Sequence, residues 1–486
     1  MKYSRFNIWS DQGASSAGGH EVGVYCGVSG ALQTMTRRER DLVDAFVSGR
    51  SEGDGVEALL EHLVRMGAIV HDEADELATL RRRYDDSRWR SDSLGYTIVT
   101  SLGCNFDCPY CFEDKHPSLL KPEVADALVG VLRDSMPGIR RLDVTWMGGE
   151  PLLGARQLFD LAARFIDLCD EHERTYTSSI ITNGWYLDGA MAERLAAHRV
   201  RSAQVTIDGP PDIHDVKRPH AGGGPTFERI LRNVAEAADL IDVQIRINVD
   251  TANAHRVAEL VDRLAEEGLA GRVGVALGRI TDAVSNDASP LASYTKSCLT
   301  ASQFSHYELA FQAVAEAAGF GYPGLPQPSG SPCTAVRSRE IVVGADGEMW
   351  KCWDDIGDPA RSIGTVFDYR TTNQELDRWL AYHPLDDAQC SSCMALPVCM
   401  GGCAHHDFHS DDREAKCGSF RTNHQRRVDE VTRRRLGFAA GEVAPCHGSI
   451  RAGGPARRAA RDDASHPARR HGVGPAGPRV LTSSTR

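Results

Sequence analysis

The feature that constrains this chain most is where its cysteines fall. Of fourteen, three lie between residues 104 and 111 and seven between 333 and 417, whereas Cys26, Cys169, Cys298 and Cys446 stand alone. Spread over 486 residues, they are too sparse for a disulfide scaffold. The first nine residues hold no apolar core of signal-peptide length, and no apolar run is long enough to span a bilayer. The expected location is therefore the cytoplasm, with no membrane partner, and clustered thiols in a reducing compartment read as metal ligands.

A chain of this length exceeds one hydrophobic core, so two or three domains are expected. The net charge is −12, but the last 36 residues carry eight arginines against two aspartates, which leaves about −18 over residues 1–450. Such an acidic body repels phosphates and argues against nucleic acid as a partner.

Residues 1–90 read as a small α+β module. Apolar alternation around Phe6, Ile8, Val22 and Val24 predicts short strands, Thr36 and Glu39 form a capping box, and helices follow through Val43 and Leu60. Residues 68–70 would be a wing strand, giving a winged-helix-like outline. From 91 to 281 strand and helix alternate six times. The strands are expected at 96–101, 142–147, 178–182, 203–207, 243–249 and 273–277, which implies an α/β fold with a parallel sheet curling into a partial (β/α)6 barrel. Residues 282–332 read as a linker with a helix at 307–318, 333–435 as a cysteine-rich domain, and 436–486, rich in Ala, Gly, Pro and Arg, as a disordered tail.

Cys104, Cys108 and Cys111 stand as C-x3-C-x2-C directly after the first barrel strand, where chemistry sits in such folds. Three thiolates on one loop suit an iron-sulfur cluster with an open iron; a structural zinc would want a fourth ligand, for which His116 is the nearest candidate. With Tyr110 before the third cysteine, this segment resembles the radical S-adenosylmethionine (SAM) superfamily. The resemblance implies a [4Fe-4S] cluster on Cys104, Cys108 and Cys111 whose free iron chelates SAM. It also implies one-electron cleavage to a 5'-deoxyadenosyl radical, with the electron coming from a donor such as flavodoxin or ferredoxin.

Companion motifs end the following strands. Gly148, Gly149, Glu150 and Pro151 resemble the family's segment that meets the methionine amino group, the glycines allowing close backbone approach and the carboxylate matching an ammonium. Thr182 and Asn183 end the third strand, and Thr206 and Asp208 the fourth; these are candidate SAM contacts, although Asn-Gly and Asp-Gly also mark plain turns. Tyr110 and Phe112 complete the expected cofactor-binding set. Asp208 is a candidate base by location only, and Arg218 could answer the SAM carboxylate but reads first as a solvated surface residue.

Downstream, Cys333, Gly347 and Cys352 follow C-x13-G-x4-C, then Cys390, Cys393, Cys399, Cys403 and Cys417 follow C-x2-C-x5-C-x3-C-x13-C. This order resembles the SPASM extension of radical SAM peptide-modifying enzymes, with a slightly short final spacing. By that resemblance Cys333, Cys352 and Cys403 bind one auxiliary [4Fe-4S] cluster and Cys390, Cys393, Cys399 and Cys417 another. Two four-iron clusters take eight thiolates, so one iron is open or is met by Cys298 or by substrate. Zinc is the competing reading for this segment, with His405, His406 and His409 beside it taken as incidental.

The resemblance spans about 1–435 and implies a maturase of ribosomally made peptides. Its N-terminal module would hold a leader segment by strand addition, raising the core peptide's effective concentration. CPYCFED, with Phe112 and Glu113, is similar to enzymes forming crosslinks on cysteine-containing peptides, and a thioether is the first expectation. Alternatives are an anaerobic sulfatase-maturating enzyme making formylglycine, and a non-catalytic zinc-stabilised peptide-binding protein.

Overall fold

The computed structural model describes residues 1–14, 20–281, 289–294 and 297–437. The short N-terminal strands come first: β1 (Lys2–Tyr3), β2 (Asn7–Ala14), β3 (His20–Cys26) and β4 (Ala31–Thr36). β2, β3 and β4 form an antiparallel three-stranded sheet. Thr36 then caps α1 (Arg37–Val47): its hydroxyl accepts from Glu39 N at 3.2 Å, and Thr36 N donates to the Glu39 carboxylate at 2.8 Å. Such a box contributes about 1 kcal/mol. α2 (Glu57–Arg65) follows, then β5 (Ile69–Val70) and α3 (Glu76–Arg88). The segment expected as a wing pairs with β1 instead of extending the three-stranded sheet, because Lys2–Tyr3 offers it an antiparallel partner.

The central sheet is built by β6 (Ser93–Ser101), α4 (Pro122–Ser135), β7 (Arg141–Gly148), α5 (Ala155–Glu171), β8 (Thr175–Thr182), α6 (Gly189–Ala197), β9 (Val200–Thr206), α7 (Pro211–Lys217), α8 (Phe227–Ala237), β10 (Asp242–Val249), α9 (Val257–Glu266) and β11 (Val273–Arg279). The six strands pair in parallel in chain order. Parallel strands with covered faces need apolar side chains in quick succession. Ile98, Trp146, Ile180, Val205 and Ile247 supply them, closed over by Leu128, Phe165, Leu195, Ile230 and Leu260 from the helices, all fully buried in one core.

Beyond the sheet lie α10 (Leu291–Tyr294) and α11 (Ala301–Ala317), the latter beginning earlier than its apolar pattern predicts because Thr300 caps it from Gln303 N. The chain then returns to the sheet. β12 (Glu340–Val343) adds in parallel to the free side of β6, and β13 (Glu348–Trp350) and β14 (Gly364–Thr365) follow antiparallel, for nine strands in the order β11-β10-β9-β8-β7-β6-β12-β13-β14. After this come α12 (Gln374–Ala381), three short helices, α13 (Ala388–Ser391), α14 (Leu396–Cys399) and α15 (Ala404–His409), and the long α16 (Phe420–Arg435).

Residues of α3 and of the turn between β1 and β2 share a small core with this last region: Phe6, Leu80 and Tyr84 pack with Trp379, Leu385 and Leu396, and Tyr84 donates its hydroxyl to Tyr382 O at 2.7 Å. α16 lies over the N-terminal sheet, joining Phe420 and Val428 to Ile8 and Tyr25, and Gln425 donates to Trp9 O at 2.8 Å. Nearly all of the tail expected at 436–486, Cys446 included, lies outside the described residues. Among those described, no helix is long and apolar enough to cross a membrane.

Candidate active site and cysteine groups

The carboxyl ends of β6 to β10 converge on the loop that carries Cys104, Cys108 and Cys111. That loop is fastened on two sides. On one, Gly149 N donates to Ser101 O at 3.0 Å and Glu150 N to Gly103 O at 2.9 Å. Gly148 has φ +137°, and a Cβ there would stand 2.1 Å from Ser101 O; one on Gly149 would stand 2.7 Å from Gly103 O. The glycine pair is therefore what lets β7 run against the cysteine loop. On the other side, Asp107 N donates to Pro219 O and Ala221 N to Asn105 O, while the Phe106 ring meets Trp185 edge-on at 5.9 Å.

Glu150 is fully buried, and its carboxylate is taken up inside the chain. Leu152 N and Asn183 N donate to it at 2.9 Å each, and the Thr182 hydroxyl spans both oxygens at 2.9 and 3.0 Å. Burial still pushes its pKa upward against these donors. The Asn183 side chain donates to Asn105 at 2.8 Å, so the end of β8 is tied to the cysteine loop too. Pro151 O accepts from Thr100 at 2.8 Å, and Thr206 closes β9, buried opposite Arg246 of β10.

Behind the third cysteine, Tyr110 donates its hydroxyl to Asp208 Oδ2, and Arg218 Nη1 donates to the same hydroxyl at 2.7 Å. Asp208 Oδ1 accepts from Asn248 N at 2.9 Å, so both oxygens are engaged, which weakens its candidacy as a base. Arg218 is buried, not solvated: the Tyr110 hydroxyl bridges it to Asp208, whose charge it offsets together with Lys217. A further buried pair, Lys217 with Asp250 and Tyr294, stands beside it.

Cys108 sits close enough to Cys104 and Cys111 to raise both. Burial pushes Cys104 up to about 11, with repulsion from Glu150 and Cys108 adding to it, and moves Cys108 and Cys111 in the same direction. Thiols raised in this way are readily ionised by a bound cation, so the site fits a group that takes three thiolates and displaces their protons.

The seven later cysteines divide by proximity. Cys403 lies within electrostatic reach of Cys333 and Cys352. Cys390, Cys393, Cys399 and Cys417 line one cleft, in which Arg421 Nη1 meets Cys417 Sγ at 3.0 Å. Cys298 sits beside Tyr294 against the barrel core.

Sequence reasoning missed what lies between the two cysteine groups. Phe112 packs on Val99, Leu102, Met147, Val342, Trp350 and Ile356, a small core joining the sheet to the segment around Cys352. Glu113 is buried there, and burial pushes it up to about 8 against the pull of Lys115, with repulsion from Asp354 and Glu150 adding to the rise. The Cys-Phe-Glu order shows which residues follow Cys111; only the fold shows that Asp354 comes to meet them.

Residues 98–264 match the family model described as the Radical SAM superfamily. A cysteine-type anaerobic sulfatase-maturating enzyme of Clostridium perfringens (strain 13 / Type A) is 28% identical over 180 residues, 34% of this chain and 46% of that protein. The sporulation killing factor maturation protein SkfB of Bacillus subtilis (strain 168) is 24% identical over 198 residues, 39% of this chain and 44% of that one. The chain thus spans about half the length of these curated relatives. The solved structure of native anSMEcpe with bound AdoMet and Cp18Cys peptide shares the fold, with a TM-score of 0.53 at 20% identity, over 71% of this chain and 98% of that one.

Proposed function

We propose that this chain, a radical SAM protein of the enzyme family that carries a SAM-binding [4Fe-4S] cluster, modifies a ribosomally made precursor peptide, installing a crosslink and specifically a thioether from a cysteine. Cys104, Cys108 and Cys111 would hold the cluster, with Gly148, Gly149, Glu150, Pro151, Thr182, Asn183, Thr206, Asp208, Tyr110 and Phe112 around SAM. When bound, the pair supplies a carbon-centred radical that removes a hydrogen atom from the substrate. The residues of the chain do the rest: the glycine pair lets β7 close on the cysteine loop, and the buried Arg218, Tyr110 and Asp208 would keep that loop against the strand ends.

The single observation that supports the reading is the seam from Phe112 and Glu113, directly after Cys111, to Trp350, Asp354 and Ile356, which flank Cys352. Cys333, Cys352 and Cys403 offer one thiolate fewer than a four-iron cluster takes, leaving room for a cysteine of the peptide. Cys390, Cys393, Cys399 and Cys417 would hold the other auxiliary cluster. A leader segment would add to an edge of the β2–β3–β4 sheet.

The sulfatase-maturating relative favours a second reading, oxidation of a cysteine to formylglycine. Incubation of the anaerobically reconstituted chain with SAM, a reductant and a cysteine-bearing peptide separates the two. A product lighter by two hydrogens whose sulfur no longer alkylates supports the crosslink; loss of the sulfur supports formylglycine. Neither product with any cysteine-bearing peptide, in spite of 5'-deoxyadenosine release, overturns both.

A further inference from the structure

A second set of ligand-type side chains lies next to the Cys352 segment and takes no part in the reading above. Asp355 ends the short turn Trp353–Asp355 that follows Cys352, and His405 and His409 stand one helical turn apart on α15, which begins directly after Cys403. The three side chains are buried, at 0, 1 and 7% exposure. One ligand atom from each lies within 4.8 Å of the others. His405 Nε2 is 3.3 Å and His409 Nε2 3.8 Å from Asp355 Oδ1, and the two imidazole centroids are 4.5 Å apart.

What sets this cluster apart is that, among the described residues, no hydrogen-bond partner reaches most of its polar atoms. Both Asp355 oxygens, both His405 ring nitrogens and His409 Nε2 are buried without a hydrogen-bond partner. Buried polar atoms are almost always paired, and a buried carboxylate without a donor is among the most costly arrangements a fold can hold. A shared proton between His405 and Asp355 would satisfy one edge and leave His409 Nε2 and the second Asp355 oxygen unpaired. A cation would engage His405 Nε2, His409 Nε2 and an Asp355 oxygen at once, so that His409 Nε2, which the shared proton leaves unpaired, gains a partner as well.

We infer that Asp355, His405 and His409 bind one divalent ion of the zinc class, separate from any iron-sulfur cluster. Ligand atoms ~2.0–2.1 Å from a tetrahedral zinc stand ~3.3 Å from one another, which the 3.3 and 3.8 Å separations approach. The donor set is nitrogen and oxygen with no thiolate, which suits zinc, whereas four-iron clusters are held by cysteine thiolates. Arg361 Nη2 stands 3.4 Å from His409 Nδ1, the nitrogen that carries the proton when Nε2 binds a metal, so binding requires the guanidinium to turn from that ring towards Asp358 and Glu375, 3.8 and 3.9 Å away. The ion would staple the Cys352 turn to the Cys403 helix. Two thiols of the first auxiliary group would thus be held at fixed separation whether or not they carry iron.

The test uses the full chain, produced with zinc sulfate present, reconstituted anaerobically with iron and sulfide, and stripped of loose metal by a chelator. About one zinc per chain is expected to remain, with a zinc K-edge absorption spectrum showing only nitrogen and oxygen at ~2.0 Å. Asp355→Asn and His409→Gln should each lower the retained zinc at least about tenfold while the iron content stays unchanged. Zinc absent from the wild-type chain, zinc with sulfur neighbours at ~2.3 Å, or zinc unaffected by either substitution overturns the site. Should the variants lose iron and zinc together, the wild-type spectrum decides: a shell free of sulfur upholds the assignment and a sulfur shell removes it.

Discussion

The two cysteine groups are held in opposite ways. Cys104, Cys108 and Cys111 occupy one loop between β6 and α4, bonded by backbone to the ends of neighbouring segments and backed by a large core. The seven cysteines from 333 to 417 come from a turn, a strand end and helices of four to six residues, around a core that includes only a few large side chains. Short helices have little stability of their own. The comparison teaches that the first group is preorganised by the protein, whereas the second is organised in good part by what its side chains bind.

The largest effect should come from the first group itself. Cys104→Ala, Cys108→Ala and Cys111→Ala, together or singly, should abolish 5'-deoxyadenosine formation measured by chromatography, and persistence of that product would remove the catalytic assignment. Metal removal comes next. Stripping iron and zinc should erase amide-exchange protection over 388–409 while leaving 93–279 protected, since metal binding to structural thiolate sites contributes ~10–16 kcal/mol. Equal loss in both regions would break the contrast.

Backbone substitutions sharpen it further. Gly148 and Gly402 both have positive φ, and a Cβ on either would meet a carbonyl oxygen, Ser101 O at 2.1 Å and Lys416 O at 2.0 Å. Gly148→Ala should destabilise the metal-free chain by about 3 kcal/mol, read as a lowered melting temperature. Gly402→Ala should leave that transition nearly in place and lower the iron retained after reconstitution.

The smallest effect is a pH dependence of opposite sign in the two regions. Glu113, pushed up to about 8 by burial, is protonated in the folded chain while its unfolded counterpart ionises above about 4.5. The folded state binds the extra proton in that window, so stability is full below it and falls as pH rises towards 8. Lys351, next to Cys352, is buried and pushed down to about 8. There the unfolded state binds the extra proton between 8 and 10.5, so stability rises with pH across that window. In the cluster-free chain each contributes on the order of 2 kcal/mol once the site relaxes. Glu113→Gln should flatten the lower limb and Lys351→Met the upper one in denaturant titrations; a lower limb unchanged by Glu113→Gln would show that Glu113 ionises normally.

The sheet was legible because apolar residues recur at every second position or more often in its strands, as at Val243, Ile245, Ile247 and Val249, and its helices show apolar faces, as at Phe227–Ala237. Two elements were not. α3 offers few apolar positions among charges, and its burial of Leu80 and Tyr84 depends on Trp379 and Leu385 some 300 residues on. β12 is a four-residue strand whose partner β6 lies far back in the chain, a pairing that no local periodicity announces. At the site, cysteine spacing and strand ends were readable, but Arg218 was taken for a surface residue because its partners, Tyr110 and Asp208, come from other loops. His405 and His409 carry the i, i+4 spacing of paired ligands, yet Asp355 lies fifty residues upstream, so the pattern looked incidental.

The lodging of α16 over β2 and β3 has a consequence for biosynthesis. While the ribosome is still adding the sheet and the second cysteine group, one face of the N-terminal strands has no cover, and Ile8 and Tyr25 stay open to water until Phe420 and Val428 emerge. Translation halted before that point would leave a sticky nascent surface for chaperones to shield.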